Sequence, residues 1–97
     1  MRYLLIISLF ICLGATRTTE TVTLHAYGQG TFVVQVSLNG NTVNVPVYNQ
    51  WTYQVKMQSG DELIYKGYAN RNFINIDING MGITIPSYNT GTLTHTL

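Results

Sequence analysis

The residues that could do chemistry are few. The chain has two histidines, His25 and His95, and four carboxylates, Glu20, Asp61, Glu62 and Asp77. Neither histidine stands in a close His/Asp/Glu spacing, so no zinc-type ligand set is legible. Asp61-Glu62 follows Ser59-Gly60 ahead of an apolar run, and Asp77 sits on the polar side of another. Oxygen ligands gathered at one end of a β-sandwich would hold calcium, although the spacing of an EF-hand loop is absent. Paired carboxylates for glycoside cleavage need a defined separation, which these positions do not define. No serine carries a nucleophile motif around it. The expectation is a non-enzymatic protein with no cofactor and no metal.

The aromatic residues are the stronger lead. Tyr48 and Tyr88 each precede an asparagine, and each follows a proline by two positions. Trp51, the sole tryptophan, lies in Asn49-Gln50-Trp51-Thr52. Trp and Tyr offer an apolar face with a polar handle, which suits stacking on a sugar or anchoring a protein contact. Neighbouring carboxamides supply hydrogen bonds. Trp51, Tyr48, Tyr88, Asn49 and Gln50 are therefore the candidate binding residues. The competing expectation is that these rings plug a small core.

The elements that must position them read as strands from end to end. Alternation of period two runs through 21–26, 32–38, 43–48, 52–57, 72–78, 83–87 and 92–97, and no helical pattern competes. In Leu63-Ile64-Tyr65 the inward side is ambiguous. Turn residues separate the runs at 27–30, 39–40, 59–61, 70–72, 79–80 and 89–91. Asn39-Gly40 and Asn79-Gly80 are hairpin signals, because a type I′ turn needs positive φ at both central residues. Gly82 reads as a bulge position. Pro46 and Pro86 remove ladder donors and belong at an edge, a bulge or a strand end.

Residues 36–49 reappear as 76–89 at an offset of 40 without a gap. Asn, Gly, Pro, Tyr and Asn are kept, and four further positions exchange Val or Leu for Ile. Extended along the chain, the offset describes a four-strand unit used twice and pairs Leu24 with Ile64, which favours Ile64 inward. The expected fold is all-β: a small antiparallel sandwich of 7–8 strands with an approximate internal two-fold repeat, with a closed barrel as the alternative.

Residues 1–15 have the layout of a cleaved secretory signal: Met1-Arg2, an apolar run from Tyr3 to Leu13 broken only by Ser8, then Gly14-Ala15. The run is too short to span a bilayer, so no stable membrane insertion is expected after cleavage. Cys12 follows Phe10-Ile11, whereas a lipid-modified cysteine follows a small residue. It reads as part of the leader, which leaves the domain at 16–97 without cysteine and so without disulfides. In that domain Arg17, Lys56, Lys66 and Arg71 balance Glu20, Asp61, Glu62 and Asp77. No basic cluster supports nucleic-acid binding, and a neutral surface does little to keep copies apart. The expectation is a secreted protein, extracellular or periplasmic, acting as a structural or protein-interaction module that self-associates or meets a protein partner. Carbohydrate binding through Trp51 with Tyr48 or Tyr88 is the first alternative, and a calcium-dependent adhesion sandwich the second.

Overall fold

The computed structural model describes residues 18–97. The expected leader at 1–15 lies outside the described residues. The fold is all-β and antiparallel, with strands β1 (Thr19–Leu38), β2 (Asn41–Gln58), β3 (Glu62–Tyr68), β4 (Ile74–Ile78), β5 (Met81–Ile85) and β6 (Thr90–Thr96).

One six-stranded sheet contains them all. β1 and β2 form a long hairpin paired from Thr19–Gln58 to Leu38–Asn41, with a register shift between Tyr27 and Thr31. The opposite edge of β1 is shared: its first half takes β4, and its second half takes β3. β5 continues outward from β4, and β6 from β3. β1 bends at the shift, so that β4–β5 and β3–β6 come face to face and the sheet is nearly closed, like a barrel.

Six strands stand where 7–8 were expected, because two breaks read from the sequence are not breaks. Tyr27-Gly28-Gln29-Gly30 is a bulge within β1, with Gly30 at φ 83°. Asn49-Gln50 is carried through within β2, with Asn49 at φ 68°. A bulge admits extra residues and bends a strand without ending it. The corresponding places later in the chain do break, at 69–73 and 86–89.

The core lies between the facing layers. Val22, Leu24, Ala26, Phe32 and Val34 of β1 meet Leu63 and Tyr65 of β3 and Ile74, Ile76 and Ile78 of β4. Val47, Val55 and Met57 of β2 and Ile85 of β5 complete it. Each fully buried Ile, Leu or Val is worth about 1.5–3 kcal/mol, and β-branched side chains suit the pleated surface. Leu63 and Tyr65 point inward and Ile64 is only half-buried, the reverse of the expectation for Ile64. The cross-strand pairs explain this: Val22 faces Val55 and Leu63 faces His95. The offset between these inward strands is therefore 41 rather than 40, and one residue exchanges the faces of a strand.

The Asn-Gly pairs form two-residue hairpins, with Asn39 at φ 52°, Gly40 at 88°, Asn79 at 52° and Gly80 at 85°. Each asparagine also clamps a neighbouring strand. Asn39 Oδ1 accepts from the Glu62 amide at 2.9 Å, and Asn79 Oδ1 accepts from the Thr23 amide at 2.8 Å. Gly82 sits opposite Asp77 in an unbroken ladder, so it marks no bulge.

Candidate functional site

The expected binding residues are divided between two surfaces. Trp51 packs against the core, its ring stacked on Tyr53 at 5.6 Å and tilted against Tyr65 at 6.2 Å. It lines a groove of about 450 Å³ with Val36, Leu38, Val43, Val45, Tyr53 and Val55. Tyr48 alternates with buried Val47, which turns its ring outward to 72 % exposure. Tyr88 is 74 % exposed, with its backbone in the left-handed region at φ 61°. Trp51 therefore forms no common platform with Tyr48 or Tyr88.

The groove at Trp51 lies along the open flank of the sheet. Among the described residues, β2 is paired only through its β1 side, so its other edge is free over 18 residues. Leu38 and Asn41 flank a two-residue turn and so form a hydrogen-bonded pair. Alternation along the ladder then makes Val33–Pro46 a non-hydrogen-bonded pair. The N–H that Pro46 lacks would have pointed off the free edge, so the proline costs the ladder nothing and interrupts the outward donors. Val43 and Tyr53 are 61 % and 53 % exposed on this flank.

Asn49 and Gln50 belong to the second surface, at the corner where the β1 bulge, the β2 bend and the two breaks meet. They line a depression of about 480 Å³ with Tyr27, Gly28, Gln29, Asn72, Phe73 and Asn75. An adjoining depression of about 580 Å³ shares Gln29 and Asn72 and adds Gly30, Thr31, Asn70, Arg71 and Tyr88. The corner is braced internally. Gly30 N–H donates to Asn49 Oδ1 at 3.0 Å, Asn72 Nδ2 donates to the Gln29 carbonyl at 3.2 Å, and the Tyr88 amide donates to the Asn70 carbonyl at 2.8 Å. Tyr27 and Phe73 were not singled out from the sequence. The available signal was that 27–30 and 70–72 are corresponding turns, which an antiparallel fold gathers at one end.

Both histidines are engaged by carboxylates. His25 Nδ1 lies 3.3 Å from Asp77 Oδ2 across β1–β4, and His95 Nε2 lies 2.8 Å from Glu20 Oε1. Asp77 Oδ1 also accepts from Gly80 N–H, and Asp61 accepts from Asn39 Nδ2 and from the Gln58 amide. No group of three His, Cys, Asp or Glu side chains gathers among the described residues. Tyr65 crosses the core, and its hydroxyl donates to the His25 carbonyl at 2.9 Å. Burial pushes this phenol well above the usual tyrosine range, and the Asp77 carboxylate adds to the shift. No protein-family model, curated protein or solved structure matches the chain.

Proposed function

We propose that this chain is an exported, non-catalytic interaction module built from two related halves, and that its open flank takes a second copy of itself. One observation carries the reading: an apolar groove along a free 18-residue edge strand. Unpaired strand edges favour addition of another strand, and natural proteins guard them with charges, especially lysine. β2 carries a single charged residue, Lys56, so two copies meeting along it face little repulsion. Pro46 confines backbone pairing to either side of it, while Val43, Trp51 and Tyr53 supply apolar area.

The test is molar mass across a concentration series, by light scattering and sedimentation. A rise toward twice the monomer mass, abolished by Tyr53→Lys with unchanged circular dichroism, supports the proposal. A monomer at every concentration up to the millimolar range overturns it.

A further inference from the structure

The corner opposite the Asn-Gly turns is a second site, with different chemistry from the flank. Its two depressions adjoin at Gln29 and Asn72, which line both, giving a cleft of two parts. Exposed aromatic rings stand in both parts: Tyr27 and Phe73 in one, at 47 % and 58 % exposure, and Tyr88 in the other. Between them the walls are mostly carboxamide, with no carboxylate and with Arg71 the sole charge.

We infer that this cleft binds a neutral oligosaccharide chain. A sugar ring presents an apolar C–H face and a rim of hydroxyls that both donate and accept. Aromatic rings take the first, and carboxamides, each with an acceptor oxygen and two donor hydrogens, take the second. Ordinary packing does not account for the aromatics here. Phe73 stays exposed beside a core that buries Phe32 to 4 %. Tyr88 holds a left-handed backbone, which is costly for a bulky residue, yet its ring stays in solvent. Tyr27 is backed by the His25 ring at 5.3 Å, which steadies its orientation. Two aromatic stations in adjoining depressions fit a chain of several sugar units rather than a single ring. The Gly30–Asn49 and Asn72–Gln29 hydrogen bonds hold the corner in place before a ligand arrives.

The experiment titrates the isotope-labelled chain with cellohexaose, xylohexaose, chitohexaose, maltohexaose and mannohexaose, followed by NMR. Perturbations confined to the side-chain amides of Gln29, Asn49, Gln50, Asn70, Asn72 and Asn75 by at least one of these are expected. Phe73→Ala and Tyr88→Gly should each weaken that response at least tenfold; both side chains are exposed, and an unchanged amide spectrum elsewhere confirms the fold. Absence of shifts with all five at millimolar concentration overturns the inference. So do shifts centred on the Trp51 groove, or a stronger response to hexagalacturonate, which would place recognition on Arg71. Dimerisation through β2 is read separately by mass, so the two proposals fail independently.

Discussion

Gly67 and Gly91 stand directly opposite each other in the β3–β6 ladder, and Ile85 of β5 fills the space that both leave. A Cβ on Gly67 would lie 2.7 Å from Ile85 Cδ1, and one on Gly91 would lie 2.8 Å from Ile83 Cδ1 and Ile85 Cγ1. The missing side chains let the two layers close on this side. Across β1–β2 the comparable pair is Ala26 and Trp51. There the indole occupies the space between the layers; Val45 is only partly buried against the core and Val43 stays exposed. The exchange of Gly91 for Trp51 thus gives the sheet one sealed flank and one open flank.

Gly67→Ala is therefore expected to destabilise the fold by about 1–3 kcal/mol, the usual cost of overpacking. Ile85→Val removes the clashing Cδ1 and alone costs about 0.5–1.5 kcal/mol. The double variant should be more stable than the sum of the two single losses implies, since residues in contact couple. Urea unfolding of all four proteins checks this; additive losses would show that Ile85 is not what Gly67 accommodates.

Tyr65 sets an alkaline limit. Its phenol is raised by burial in the folded state, whereas an unfolded tyrosine ionises near pH 10. Its contribution is complete below about pH 10 and is lost progressively as pH rises above that value. Tyr65→Phe should cost about 0.5–1.5 kcal/mol at pH 7, through the lost hydrogen bond to the His25 carbonyl. It should also flatten the decline of stability above pH 10. Denaturant unfolding at pH 8, 10 and 11 measures both effects, and parallel alkaline slopes would exclude Tyr65 as the source.

Asn79 does two jobs that substitution separates. Asn79→Gly keeps the left-handed turn but loses the Thr23 bond, a loss of about 0.5–1.5 kcal/mol. Asn79→Ala loses the same bond and also places in the left-handed region a residue that tolerates it less well than Asn or Gly, adding about 1 kcal/mol. Melting temperatures should fall in the order Asn, Gly, Ala. Equal values for Gly and Ala would contradict the role assigned to φ.

Tyr88→Gly should raise stability by up to about 1 kcal/mol, because relief of the left-handed backbone outweighs the added freedom of the unfolded chain. Calorimetry decides the sign. A drop in melting temperature would mean that the ring packs on its neighbours, which its 74 % exposure argues against.

Much of the fold was legible because alternation and turn chemistry are local. The inward set Val22, Leu24, Phe32, Val34, Ile74, Ile76, Ile78 and Ile85 follows from period two alone. The left-handed turns at Asn39-Gly40 and Asn79-Gly80 follow from the residues that tolerate positive φ. Leu63-Ile64-Tyr65 was not legible, since three apolar residues in a row carry no parity. At the candidate sites, Asn49 and Gln50 line one depression with Tyr27 and Phe73 while Trp51 faces the flank, and nothing local in the sequence distinguishes the two placements.

By itself, the sequence determined the class of structure, the hairpin turns and the likeness of the two stretches around the Asn-Gly pairs. Each of these rests on preferences within a few residues of chain. Only the tertiary structure decided that β1 and β2 run through their corners, that one flank closes over Gly67 and Gly91, and that Trp51 parts from Tyr48 and Tyr88. Period two says which side of a strand a residue is on. It does not say which strand lies across from it, and that depends on where the sheet bends and how much volume the facing side chains leave.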